Sequence, residues 1–131
     1  MTSTRWTWVA LDVAHAIHDR QISEHGGADG VRDRALVESA LMRPINLAGY
    51  GSPDTADLAA AYAYGLARAH GFVDGNKRTA WVVARLFLRL NRVDLAFDAM
   101  DAVKTMEIVA AGSMDEARLA NWFRGRIKPS S

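Results

Sequence analysis

Cysteine is absent from the 131 residues, which excludes a disulfide framework and thiolate metal sites and fits a cytosolic protein. A surplus of one charge is absent as well. Lys and Arg number 16 against 15 Asp and Glu, a formal net of +1. Bulk electrostatics therefore selects no partner, and any affinity for phosphate or nucleic acid has to come from local placement. No apolar run approaches the roughly 18 residues that span a bilayer. No G-x-x-x-x-G-K-[ST] string offers a P-loop. Repeats and low-complexity segments are missing too. What remains is ordinary globular composition, 50% hydrophobic and 24% charged. The length suits one domain, residues 1–131, with its own core. These features predict a soluble, cytoplasmic protein that does not enter a membrane.

The apolar pattern is mostly helical, with about six helices. Val9, Val13, Ala16 and Ile17 recur at helical spacing, with Ile22 following, until "HGG" at residues 25–27 stops the run. Asp29-Gly30 marks a turn. Asp33 is placed to cap a short helix whose buried face is Leu36, Val37, Ala40 and Leu41, ending at Pro44. Residues 45–54, "INLAGYGSPD", read as a surface loop. Ser52, Asp54 or Thr55 can cap the next helix, which runs to about residue 69. A further helix covers residues 76–91, with Ala80, Val83, Ala84, Leu86, Phe87, Leu88 and Leu90 over more than half its circumference. That is a central element with one open side, and Arg78, Arg85, Arg89 and Arg92 form the stripe opposite Phe87. Residues 93–97 suit a short strand, and residues 100–111 a helix stopped by Gly112. Ser113 and Glu116 have the spacing of a capping box ahead of a closing helix that turns Ala117, Leu119, Ala120, Trp122 and Phe123 inward. The ends, residues 1–4 and 128–131, read as frayed.

Between the two middle helices lies "HGFVDGNKRTAW", residues 70–81. A helix N-terminus exposes unpaired N–H groups and a partial positive charge, and so binds anions. Gly75 lets backbone approach a ligand closely. Lys77 adds a point charge and Arg78 a planar fork, both suited to phosphate oxygens. Asp74 opposes a phosphate unless a divalent cation lies between them, and Mg²⁺ binds through one or two carboxylates plus phosphates. His70 is the side chain best suited to take a proton near neutral pH. Phe72 is a core anchor that holds the loop. Each residue also has a plain role: Asp74 or Asn76 as N-cap, Gly75 as turn, Lys77 and Arg78 solvated, and His70 at a helix end beside a C′ Gly71. Together they supply a base, a metal-seeking acid and an anion cradle, the equipment for attack of a hydroxyl on phosphorus.

The stretch resembles the Fic/Doc family motif, roughly H-x-F-x-[D/E]-[G/A]-N-[G/K]-R. His70, Phe72, Asp74, Gly75, Asn76, Lys77 and Arg78 stand in register. Lys77 marks the Doc (death-on-curing) branch, where AMP-transferring members carry glycine. "AIHDRQI", "HGGADGVRDRALVESALMRP" and "RLANWF" also look Doc-like. The resemblance implies a compact all-α bundle with at most a minor strand, and a toxin of a toxin–antitoxin pair. The activity it implies is transfer of the γ-phosphate of ATP, with Mg²⁺, to a threonine of a translation elongation factor such as elongation factor Tu. By the same resemblance His70 is the base and Asp74 the Mg²⁺ ligand. Gly75, Asn76, Lys77 and Arg78 cradle the phosphates, with Arg78 countering charge at the transferred group. Gly71 replaces a frequent proline, leaving the loop freer, and Trp81 replaces a second arginine that holds the γ-phosphate.

The loop at residues 45–54 falls where the family keeps a flap that aligns the target segment, although a simple connector fits as well. The stripe of Arg85, Arg89 and Arg92 is either a solvated face or a docking strip for an acidic antitoxin segment. Self-restraining members carry [S/T]-x-x-x-E-[G/N]; these residues do not. Two alternatives to the kinase stay open: transfer of AMP or another nucleotidyl group to a protein hydroxyl, and a non-catalytic phosphate- or nucleic-acid-binding module. Intact His70 and Asp74 weigh against the second, because a pure binder needs neither.

Overall fold

The computed structural model describes residues 6–129. Along them run α1 (Leu11–His25), α2 (Arg34–Tyr50), α3 (Thr55–Ala69), α4 (Asn76–Leu90), β1 (Val93–Leu95), α5 (Ala99–Ala110), α6 (Glu116–Arg124) and β2 (Ile127–Pro129). The architecture is all-α apart from the antiparallel β1–β2 ribbon, which pairs Val93 with Pro129 and Leu95 with Ile127. The strand expected after residue 93 is therefore present but stops at Leu95. Its partner includes Lys128, a residue that composition alone marked as frayed. Residues 1–4, 130 and 131, also read as frayed, lie outside the described residues.

Helix α3 forms the centre. Ala59, Ala60, Ala61, Ala63 and Ala67 are fully enclosed, as are Leu58 and Tyr62. Alanine is the strongest helix former and has the smallest side chain beyond glycine, so neighbours can close on α3 from several sides. Helices α2, α4, α5 and α6 all pack against it. The central role expected for α4 thus belongs to α3. Helix α4 buries Ala80, Val83, Ala84, Phe87 and Leu88 and leaves Leu90 exposed. Trp6 and Trp8 approach Phe87 at 6.1 and 5.8 Å between ring centres. The Val9 amide donates to the Tyr62 hydroxyl at 2.9 Å, and burial raises the pKa of that hydroxyl against the opposing effect of the bond. The inward face of α1 carries Ala14 and His18. Val13, one of the apolar residues that define its period, is 39% exposed.

Asp33 caps α2 as its position predicts, accepting from the Leu36 amide at 3.2 Å. Pro44 does not end the helix, which continues to Tyr50 with the proline inside. A proline there removes the bond that would reach the carbonyl four residues back, that of Ala40. This carbonyl faces Gly65 of α3, where an added Cβ would stand 3.3 Å from the oxygen. Backbone without a side chain lies against the freed acceptor, a setting for Cα–H···O contact. The long connector expected over residues 45–54 consequently shrinks to residues 51–54.

The cap of α6 also differs from expectation. Asp115 is the N-cap and accepts from the Arg118 amide at 2.8 Å. The Ser113–Glu116 box is not used, because the Glu116 carboxylate is taken by Arg43 of α2. Leu119, Ala120 and Phe123 face inward and Trp122 is half-buried, but Ala117 is exposed. At the start of α3, Asp54 and Asp57 cap reciprocally. Arg124 of α6 grips Asp54 with two bonds, at 2.8 and 2.9 Å, and reaches Asp57 at 2.8 Å.

This clamp makes stability depend on acid. The Arg124 hydrogen bonds hold the Asp54 carboxyl well below its ordinary value of 3.8, helped by the Asp57 amide and opposed by partial desolvation. A depressed folded-state pKa gives stabilisation that is complete above the ordinary carboxylate range and drains as pH falls below it. Asp54→Asn should lower the melting temperature at pH 7 and flatten its decline between about pH 4 and 2. Thermal melts of both proteins across that range measure the difference, and parallel curves would show the clamp contributes nothing pH-dependent.

Candidate active site

The junction between α3 and α4 turns on His70, the C-cap of α3, with φ 51° and ψ 43°. The left-handed residue is therefore the histidine, and the expected C′ role of Gly71 is not used. A non-glycine residue in this region is uncommon and is held by its surroundings. Here Arg32 Nε donates to the His70 carbonyl at 2.8 Å, while the Arg32 and Asp33 amides donate to the Gly71 carbonyl at 2.8 and 2.9 Å. Gly71 is glycine for space. An added Cβ would lie 2.5 Å from Val37 Cγ2 and 3.1 Å from the Val37 nitrogen. Where the sequence suggested a freer loop, the structure has close contact.

Phe72 is the buried anchor that its position predicts. Its ring stacks on His18, with centres 3.9 Å apart and planes 7° apart, while His15 meets it edge-on at 5.6 Å. Its backbone bridges to Val31. The Asn76 carboxamide closes on it twice, accepting from the Phe72 amide and donating to its carbonyl, both at 3.0 Å. The side chain of Asn76 thus braces the loop, and what Asn76 turns to the cradle is its main-chain amide.

Neither Asp74 nor Asn76 is the N-cap of α4. Gly75 takes that place with φ 76° and no side-chain cap. The Thr79 amide donates to the Gly75 carbonyl at 3.0 Å, so the amides of Asn76, Lys77 and Arg78 precede the first intrahelical bond and form the anion-binding end. Lys77 is exposed, and Arg78 reaches back to the Gly26 carbonyl at 3.1 Å. Asp74 accepts from the Gly75 amide at 2.8 Å and from the Ala28 amide at 3.2 Å. Those two bonds, in that order, hold its carboxyl below the ordinary carboxylate range, with Arg78 and His18 adding charge attraction.

His70, Asp74, Gly75, Asn76, Lys77 and Arg78 line one cavity of about 760 Å³. The opposite wall is apolar, built from Trp81, Phe97 and the α5 residues Ala102, Val103 and Met106, with Glu107 also on the lining. Trp81 belongs to an aromatic cluster, 5.1 Å from Phe97, 5.9 Å from Trp122 and 6.2 Å from Phe123. Arg85 lies over the Phe97 ring at 4.8 Å, and Arg89 pairs with Asp94 at 3.4 Å. Neither lines the cavity, and Arg92 lies past the end of α4. The Asp74 carboxylate is an oxygen donor of the kind that fits Mg²⁺ completed by phosphate and water, while the neighbouring amides and cations suit the phosphate oxygens. His18, Asp19 and Asp29 also gather within 4.8 Å, with the His18 Nε2 bonded to the Asp74 carbonyl. Sequence reasoning missed His18, the 26–28 loop and the α5 wall.

A histidine beside a helix N-terminus shares one cavity with a carboxylate, a lysine and an arginine, in an all-α domain. The chain belongs to the Fic/DOC family, whose model matches residues 8–88. It is 45% identical over 105 residues to Toxin Doc of Mycolicibacterium smegmatis, spanning 76% of this chain and 80% of that protein. It is 34% identical over 110 residues to Protein kinase doc of Escherichia phage P1, spanning 83% and 86%. These relatives put it in the Doc branch, as Lys77 in the motif implies.

The Gly71 contact is open to test. Gly71→Ala should destabilise the fold by about 1–3 kcal/mol, the usual range for overpacking. Because the nearest atom is a methyl of Val37, Val37→Ala should be less destabilising in the Gly71→Ala background than in the parent. Urea denaturation of the four proteins checks this, and strict additivity would show that the two sites do not touch.

Proposed function

We propose that this protein is a toxin that transfers the γ-phosphate of ATP to a protein hydroxyl, with a threonine of a translation elongation factor, elongation factor Tu, as the acceptor. The observation that carries the reading is the opening of His70, Asp74 and the N-terminus of α4 into one cavity. The names of the two relatives, a toxin and a protein kinase, support it.

In this mechanism His70 takes the proton from the acceptor hydroxyl. Its oxygen then bonds to the γ-phosphorus as the bond to the bridging oxygen breaks and ADP leaves. The amides of Asn76, Lys77 and Arg78 hold phosphate oxygens, and the Arg78 guanidinium counters charge on the group in transit. Asp74 would hold Mg²⁺, which when bound would supply neutralising charge to the phosphates. Two features favour γ- over α-phosphate transfer: Lys77 in the motif, and a Trp81 ring set among aromatics where AMP-transferring relatives have an arginine.

The toxin name of one relative supports control by a second protein, and residues 1–131 hold no self-restraining glutamate motif. The partner is a cognate antitoxin with an acidic segment beside Arg85, Arg89 and Arg92. Such a segment has to compete with Asp94 for Arg89 and with the Phe97 ring for Arg85.

Incubation with γ-labelled and, separately, α-labelled ATP and a bacterial lysate tests the reaction. Label should enter protein from the γ position alone; entry from the α position would mean AMP transfer, and entry from neither would overturn the kinase reading. His70→Ala should cut transfer by about a hundredfold or more while leaving nucleotide affinity within a few-fold. Near-normal single-turnover transfer in that variant removes His70 from the chemistry. Lys77→Gly should weaken γ transfer, and parent-like phosphorylation in it would end the lysine argument.

A further inference from the structure

We infer that His18 is a positioning residue for the metal-binding carboxylate, acting through the backbone of Asp74. His18 belongs to α1, remote in sequence from the motif, and is 1% exposed. Its Nε2 lies 2.8 Å from the Asp74 carbonyl oxygen. A carbonyl only accepts, so the imidazole donates and Nε2 carries the proton. The other ring nitrogen faces the exposed carboxylate of Asp19 at 3.8 Å.

The rest of the ring is fixed as tightly. One face stacks on Phe72, and a Cβ added at Gly75 would stand 3.7 Å from its Cδ2. The histidine therefore fills the space beneath the Phe72 to Gly75 turn while holding that turn by a hydrogen bond. Asp74 is gripped at both ends: its carbonyl by His18, its carboxylate by the Ala28 and Gly75 amides. Gly27 packs closely against one side of the carboxylate, since a Cβ added there would stand 2.7 Å from Asp74 Oδ2. Hydrogen-bond partners of a metal ligand orient it and set its affinity, and their loss weakens metal binding by about 10- to 100-fold. Here the partner acts on the ligand's main chain, so it sets where the carboxylate starts from.

The role rests on the reading of Asp74 as the Mg²⁺ ligand, so its test has one arm that needs no metal. Three variants separate the donor from the packing. Gln places an N–H near the reach of Nε2, Asn places one only near the reach of Nδ1, and Leu fills the space with no donor. In the metal-free arm, amide hydrogen exchange of Gly75 and Ala28 is followed. His18→Asn and His18→Leu should exchange about tenfold faster there, with α3 unchanged, and His18→Gln should stay within about twofold of the parent. In the metal arm, Mn²⁺ affinity is titrated by electron paramagnetic resonance at saturating ATP. Asn and Leu should weaken it about tenfold and Gln should restore it, while ATP binding in EDTA stays within about twofold in all three.

Parent-like exchange at Gly75 and Ala28 in His18→Asn overturns the proposal. So does equal loss in His18→Asn and His18→Gln, which would make the histidine a packing residue only. If His18→Leu does not fold, the comparison of Asn with Gln decides. Where the parent fails to transfer γ-label but Asn and Gln part as described, the kinase reading falls and the role of His18 stands. Where transfer succeeds but Asn and Gln behave alike, the reverse holds.

Discussion

Phe72 is the point on which the site depends. Its ring is stacked between structure and chemistry, with His18 of α1 on one face and His15 at its edge. Its backbone is tied to Val31 ahead of α2 and to Asn76 at the start of α4. A side chain of this size, fully buried, fixes the loop without any bond of its own. Two residues before it, His70 is set in the left-handed region; two after it, Asp74 is turned toward the cavity. Remove the ring and His70 and Asp74 lose their common reference. The constraint is apolar burial, and the functional groups are positioned by being adjacent to it in the chain.

The density of side-chain function between His70 and Arg78 made most of this site readable. A histidine, an acid and cations packed at one junction have few other uses, and the helices around them follow from plain 3.6-residue spacing. What was unreadable shares a physical cause. His18 is a polar residue on a buried face, so a period drawn through Val13, Ala16 and Ile17 points α1 the wrong way. The loop at residues 26–28 contributes through its main chain, and no residue-type pattern announces a carbonyl or an amide. The α5 wall is ordinary apolar sequence whose use is visible only once it lies across from α4.

Pro44 teaches a related lesson. Proline ends a helix when the carbonyl it abandons has nowhere to go. Here that carbonyl meets Gly65 on the neighbouring helix, so α2 runs on to Tyr50. Tertiary contact overrides local grammar, and the consequence reaches function. The segment ahead of α3 has residues 51–54 as its connector, with the Asp54 end held by Arg124. Any part it takes in aligning an acceptor is played by a short strap fastened at one end.

The anion seat at the start of α4 consists of main-chain amides, and Asp74 is held by main-chain amides in turn. A peptide N–H is the same whichever side chain follows it. Under the proposed function, gripping phosphate is therefore insulated from most substitutions over evolutionary time, so long as the turn keeps its shape. On the proposed reading, choice between donors and acceptors is written in side chains: Lys77, Trp81 and the α5 wall. A lineage of such chains can drift in what it modifies while keeping the means of modification, because the two are encoded in different parts of the polypeptide.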